Sequence, residues 1–330
     1  MELKGFSRNT FRLWMAIVLF LLALVAPALI RSVYGLHLAI MILFYIVLGE
    51  CWNLVGGYAG QLSFAHASLF AFGAYSSSLL LIKVGIPPYV GLFAAGMVSG
   101  IAALVLGFPC FTAKLKGHYF ALATVGFAEV MRLLFLRWQF VGMAQGLSLP
   151  PTPSLKHFVF VSKIPYYYAI LSFATIVLLV LYIIVGSKLG LYLKAIRENE
   201  EKARHLGINT RLYKLIAFFI SAFFVGISGT FYAQYILHID PQSIMTLNHS
   251  IKIALVAIVG GIGTLIGPII GSFIVMGLDE GLRVLFGGEA KGIDFMVFGI
   301  IVTLIAIFEP RGISKLISRI TRVISQKYFK

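Results

Sequence analysis

The feature that most limits what this chain can fold into is its series of long, unbroken apolar runs. Residues 13–30, 36–48, 92–108, 169–186, 212–237 and 295–308 are almost wholly hydrophobic. Stretches of about 20 residues match a hydrocarbon layer roughly 30 Å thick. The runs are continuous and do not alternate, which favours helices over a barrel. Composition agrees: only 12% of residues are charged and the mean hydropathy is +0.96. Soluble domains carry about 25% charged residues. The expected fold is therefore an all-α, polytopic integral membrane protein.

The breaks between apolar runs predict about ten transmembrane helices, near 13–30, 36–55, 60–82, 88–108, 118–137, 165–186, 212–236, 250–262, 265–286 and 293–309. The eighth is short for a full crossing, so it is expected to be broken or tilted. Lys4, Arg8 and Arg12 precede the first run as in a signal peptide, but that run is long for a cleaved leader and reads as an uncleaved helix. With the N-terminus in the cytosol, about two thirds of the Lys and Arg fall on cytosolic segments, as the positive-inside rule requires. The organisation read from this is a cytoplasmic N-terminus (1–12), a membrane domain (13–310) holding a cytoplasmic loop (187–212), and a basic cytoplasmic tail (311–330). A single span over 250–286 would put that tail outside, so the region is split at Gly260–Gly267.

Several functions are excluded or disfavoured. The net charge is +15, but the cations flank apolar runs, which points to a membrane and to no nucleic acid. Cys51 and Cys110 lie in apolar surroundings and read as small buried hydrophobes. No phosphate-cradling Gly-x-x-x-x-Gly-Lys-Ser/Thr occurs, no metal-ligand spacing occurs, and no catalytic constellation is read. The chain is expected to be no enzyme and to carry no cofactor.

Three features remain for function. The first is the charged segment 188–214, too polar for lipid. Glu198–Lys202 and Glu200–Arg204 are i,i+4 pairs that support a helix, Ile196, Ala203 and Leu206 fall near one face, and Gly207 suits a helix stop. It reads either as a loop helix resting on headgroups or as a docking helix for a cytoplasmic partner, with Glu198, Glu201, Ala203 and Gly207 as the coupling candidates. The second is the glycine-rich stretch 56–68. Gly57 and Gly60 weaken helix continuity where Gln61, Ser63 and His66 bring polar groups to membrane depth. Close helix packing and pathway lining both account for it. The third is Glu129 near the middle of the fifth span, with Arg132 one turn on; it is a structural ion pair or a gating element, and is kept as a pathway candidate. A second glycine cluster, Gly260, Gly261, Gly263 and Gly267, reads as a tight turn.

The sequence also resembles a known family. Glu201-Lys202-Ala203-Arg204-His205-Leu206-Gly207 is similar to the Glu-Ala-Ala-x-x-x-Gly loop of bacterial binding-protein-dependent ABC permeases, with Lys202 in place of an alanine. Trp52 to Ala67, Leu193 to Asn199, Val259 to Pro268 and Phe308 to Gly312 resemble blocks of the branched-chain amino acid permeases, on the side of the "M"-type subunit. Where that family often has Thr-Gly-Gly, this chain reads Val141-Gly142-Met143. The resemblance implies a permease subunit in the cell inner membrane. It would work with a homologous permease, two cytoplasmic ATPase subunits that bind ATP and Mg, and an extracytoplasmic substrate-binding protein. Leucine, isoleucine or valine would be the cargo. Urea, a short amide or another amino acid is the alternative cargo; an ion-coupled secondary transporter is the alternative class.

Overall fold

The computed structural model describes residues 20–30, 32–151 and 158–285, with isolated positions 296, 297, 299, 300, 303, 312 and 313. Helices α1 (Phe20–Leu29), α2 (Val33–Asn53), α3 (His66–Leu79), α4 (Pro88–Thr112), α5 (Gly117–Arg137), α6 (Ile164–Gly186), α7 (Lys188–Glu198), α8 (Glu200–His205), α9 (Thr210–Ile236), α10 (Pro241–Ile244), α11 (Leu247–Gly260) and α12 (Gly267–Leu285) make up nearly all of it. Helices α2 and α3 each run on into a π-helical turn, Leu54–Tyr58 and Leu80–Val84.

Seven of these segments are long and apolar enough to cross a membrane: Val33–Tyr58, His66–Val84, Pro88–Thr112, Gly117–Arg137, Ile164–Gly186, Thr210–Ile236 and Pro241–Gly260. They coincide with the second to eighth spans expected from sequence. Of the first expected span, 13–30, only α1 is described, as a shorter apolar helix, and the ninth coincides with α12, which is not among the seven. The tenth, 293–309, lies outside the described residues apart from five isolated positions.

The eighth span is longer than its sequence suggested. Asp240 caps α10, accepting from the Ser243 amide at 2.9 Å, and Pro241 starts that helix without needing a donor. Thr246 then caps α11 through the His249 amide. The polar residues Asn248 and His249 hid this start in the sequence. The helix ends at Gly260 and the next begins at Gly267, so the expected split occurs there.

Burial separates centre from rim. Over an 18-residue apolar stretch of each, 78% of the residues of Val33–Tyr58 are buried, against 28% in α5 and in α6. The centre packs by small residues. Gly73 of α3 lies directly against the backbone of Gly226 in α9, and Gly229 lies against the Phe70 carbonyl. Ser99 of α4 donates to the Leu69 carbonyl at 2.8 Å. With no hydrophobic drive between helices in lipid, close backbone approach and such interhelical hydrogen bonds hold the bundle. Aromatic side chains Phe44, Phe70, Phe231 and Tyr232 fill the space between α2, α3 and α9.

A small sheet qualifies the all-α expectation. Strands β1 (Leu147–Ser148) and β2 (His238–Ile239) pair antiparallel. They join the chain after α5 to the end of α9, where extended backbone needs partners.

The charged segment is two helices where the sequence suggested one. Asn199 is extended (φ −160°) and accepts from the Lys202 amide at 2.9 Å, so it ends α7 and caps α8. The i,i+4 pair Glu198–Lys202 is therefore not made, because the cap lies between its members. Arg204 Nη2 does approach Glu200 at 3.6 Å. Gly207 stops α8 as expected, at φ +82°; its amide donates to the Arg204 carbonyl and the Ile208 amide to the Ala203 carbonyl, the Schellman pattern. Ile196 and Ala203 are buried, but Leu206 is 79% exposed and leaves the face it was assigned to.

Candidate functional site

The glycine-rich stretch breaks the path between α2 and α3. The π turn at Leu54–Tyr58 ends with the Ala59 amide on the Leu54 carbonyl and the Gln61 amide on the Val55 carbonyl. The chain then runs non-helically to His66, largely buried in the bundle. Backbone groups at such a place must find partners inside the protein. Trp52 Nε1 donates to the Ser63 carbonyl at 2.7 Å, the Phe64 amide donates to Thr124 Oγ1 of α5 at 3.0 Å, and the Ala67 amide donates to Ser250 Oγ of α11 at 3.1 Å. Side chains from three helices thus pin the break.

The pathway candidates fall into two places. Gly57, Gly60, Gln61, Ser63 and His66 sit together at the break; Glu129 does not. Gly57 packs against the Asn53 side chain and the Gly263 amide. Gly60 has φ +68°, which a residue with a Cβ rarely adopts. Gln61 is buried, with Nε2 3.4 Å from the Ala59 carbonyl and Oε1 unpartnered among the described residues. Ser63 is fully buried and its Oγ accepts from the Ala65 amide at 3.4 Å. The Ser221 hydroxyl gives its one proton to the Cys51 carbonyl at 2.6 Å. The 3.0 Å contact between Ser221 Oγ and His66 Nε2 therefore makes Nε2 the donor. His66 Nδ1 is left as an acceptor with no partner among the described residues.

Glu129 lies on the outer side of α5. Its side chain is 49% exposed and bonds Arg132, whose Nε donates at 2.9 Å. The neighbouring Ala128 carbonyl accepts from Ser68 at 3.3 Å, so α5 turns its inner side to the break and Glu129 away from it.

The second glycine cluster joins the first. Asn53 at the end of α2 donates from Nδ2 to the Thr264 carbonyl at 2.9 Å and accepts the Gly263 amide on Oδ1 at 2.8 Å. In the sequence Asn53 is a polar residue near the end of the second span, and nothing there shows that its target is the α11–α12 turn.

The coupling candidates divide by exposure. Glu198, Glu201 and Gly207 are exposed, while Ala203 is buried beneath α8. Sequence reading missed the ion pair that seats this segment. Glu200 Oε1 accepts from Lys214 Nζ at 2.8 Å; the Lys214 side chain has no exposure and the Glu200 side chain 7%. Lys214 also lies 4.8 Å from the Phe111 ring, and Lys116 reaches Glu200 at 4.0 Å and Glu201 at 3.4 Å. The available signal was Lys214 itself, a charge one turn inside an apolar run. Among the described residues, no group of three or more His, Cys, Asp or Glu is placed to hold a metal ion.

Residues 36–307 match the family model described as "Branched-chain amino acid transport system / permease component". The chain is 29% identical to the high-affinity branched-chain amino acid transport system permease protein LivM of Salmonella typhimurium, over 89% of this chain and 74% of that protein. It is 28% identical to LivM of Escherichia coli, over 90% of this chain and 73% of that one. It is 26% identical to a probable LivH permease of Methanocaldococcus jannaschii, over 76% of this chain and 82% of that one. No solved structure matches the chain.

Proposed function

Because the chain belongs to the permease family of branched-chain amino acid transport systems, we propose that it imports leucine, isoleucine or valine as one transmembrane subunit of an ATP-driven machine. It is a multi-pass protein of the cytoplasmic membrane. It has about ten spans, with both ends in the cytosol, and supplies half of the translocation pathway. Its partners are a homologous permease, two cytoplasmic ATPase subunits and an extracytoplasmic binding protein. ATP and Mg are held by the ATPases, since the sequence offers no phosphate cradle.

The observation that carries the reading is the seating of α7 and α8. Their inner side is anchored by the buried Glu200–Lys214 pair, by Ile196 and by Ala203. Their outer side presents Glu198, Glu201, Leu206 and Gly207, with Leu206 79% exposed. A segment fixed to the bundle on one side and open on the other can carry motion from a soluble motor into the membrane. The break at Gly57–His66 lines the pathway from within the bundle, and the exposed side of α5 with Glu129, facing away from the break, lines it where the partner permease closes on this chain. There, helix ends and unpaired polar atoms offer partners to a zwitterion whose side chain is apolar.

The test is to replace Glu201 with Arg and Leu206 with Asp in the assembled transporter. ATPase subunits should be lost from the purified complex while the permease still reaches the membrane. If assembly and ATP-dependent leucine uptake both stay at wild-type levels, this segment does not couple.

A further inference from the structure

The seat of α7 includes one contact that the coupling role alone does not require. Arg197 lies in the last turn of α7, and its Nη1 donates to the Gly57 carbonyl at 2.7 Å. That carbonyl belongs to the π turn that ends α2. The amides that follow are spent elsewhere, Ala59 on Leu54 and Gln61 on Val55. Helix-end carbonyls left this way carry the negative end of the helix dipole and need a donor. A guanidinium supplies both a donor and a positive charge.

Two further backbones close on the same side chain. Gly60, at φ +68°, would place a Cβ 3.1 Å from Arg197 Cγ. A Cβ at Gly263, at φ +74°, would collide with Arg197 Nη1. Gly263 is also the residue whose amide Asn53 holds at 2.8 Å. Arg197 therefore stands where the end of α2, the break, and the α11–α12 turn meet. One turn earlier on α7, Lys194 lies over the Tyr58 ring at 5.7 Å, so the same side of α7 touches the π turn twice. An open cleft lined by Ala59, Gln61, Lys116, Glu198 and Glu201 runs beside the guanidinium. The side chain thus has room to withdraw when α7 moves.

We propose that Arg197 is the positioning residue that transmits the movement of α7 to the glycine-rich break, by holding the Gly57 carbonyl in one state and releasing it in the other. This rests on the coupling reading above and adds to it the point where motion enters the membrane domain. Single π turns inside α-helices are frequent at functional sites. A shift of α7 by 1–2 Å, on the order of interface helix movements, breaks a 2.7 Å hydrogen bond. The freed carbonyl and the Gly57–Gly60 backbone then re-form around a different partner.

The test uses the complete transporter in liposomes: this chain, its partner permease, the ATPases and the binding protein. ATP hydrolysis and leucine uptake are measured together. Arg197→Ala is expected to keep its ATPases and to hydrolyse ATP within twofold of wild type, while leucine moved per ATP falls at least tenfold. Arg197→Lys keeps a donor on a long stem and recovers a third or more of that ratio. Gly263→Ala, with Arg197 intact, displaces the guanidinium and reproduces the loss. The relay is overturned if the ratio stays normal in Arg197→Ala, if hydrolysis and uptake fall in parallel, or if the ATPases dissociate. Should Arg197→Ala fail to reach the membrane, Arg197→Gln and Gly263→Ala carry the same readouts. If wild-type complex itself shows no ATP-dependent leucine uptake, the proposed function fails, and not the relay alone.

Discussion

Replacing Glu200 and Lys214 by methionine, singly and together, probes how α8 is fastened to the bundle. The two charges meet at 2.8 Å, with side-chain exposures of 7% and 0%. Breaking a buried pair from one side costs about 3–5 kcal/mol, because the remaining charge stays desolvated. The two halves are not equivalent. Glu200 keeps Arg204 at 3.6 Å and Lys116 at 4.0 Å when Lys214 is lost. Each such partly exposed contact contributes about 0–1 kcal/mol, so Lys214→Met is expected to cost about 2 kcal/mol. Among the described residues Lys214 has no second carboxylate within ion-pair distance, only the Phe111 ring at 4.8 Å. Glu200→Met therefore takes the full cost. At about 2 °C per kcal/mol for a chain of this size, the melting temperature in detergent falls about 6–10 °C for Glu200→Met and about 4 °C for Lys214→Met. The double variant returns to within about 1 kcal/mol of wild type, since a well-packed apolar pair replaces a buried ion pair at little cost. The assay is thermal unfolding followed by size-exclusion fluorescence. Equal losses in both single variants, or a double variant that loses the sum of the two, would refute this account of the seat.

Three other outcomes follow from particular contacts. Asn53→Ala removes both hydrogen bonds to the α11–α12 turn and should cost about 1–3 kcal/mol, read as a melting temperature lower by several degrees; no change would show the two glycine clusters are not joined there. Gly73→Ala drives a methyl into the Gly226 backbone, whereas Gly126 of α5 has nothing within 4 Å of its would-be Cβ; the first should abolish folded yield and the second leave it unchanged, as measured by monodisperse protein per cell mass. Glu129→Gln should lower leucine uptake at least fivefold with less than about 2 °C of thermal loss, because an exposed pair contributes about 0–1 kcal/mol to stability; normal uptake would remove Glu129 from the pathway.

Much of this architecture is legible in the sequence because membrane helices declare themselves by length and hydropathy alone. Seven spans lie where the apolar runs put them. The Gly260–Gly267 split and the Gly207 stop were visible because glycine at those places has a local meaning. What stayed hidden depends on distant partners. Asn199 divides the charged segment, yet it looks like an ordinary residue between glutamates whose i,i+4 spacing suggests one continuous helix. Gly56 and Gly57 mark a weak point in the helix, but not that the chain passes through a π turn there. The side chains that pin the break, Thr124 and Ser250, lie on other helices far along the chain. Arg197 reads as one of several loop cations until its bond to Gly57, 140 residues away, is seen. His66 could be noted as polar at depth, but its link through Ser221 to the Cys51 carbonyl required coordinates.

Coupling to a cytosolic motor requires α7 and α8 to face the cytosol. A single cysteine at Leu206, in a chain whose buried Cys51 and Cys110 are changed to serine, offers an exposed thiol on α8. With the ATPase subunits stripped from the membranes, reaction with a membrane-impermeant maleimide in inside-out vesicles, and none in intact spheroplasts, is the predicted result. Labelling from the outer face of spheroplasts would contradict it.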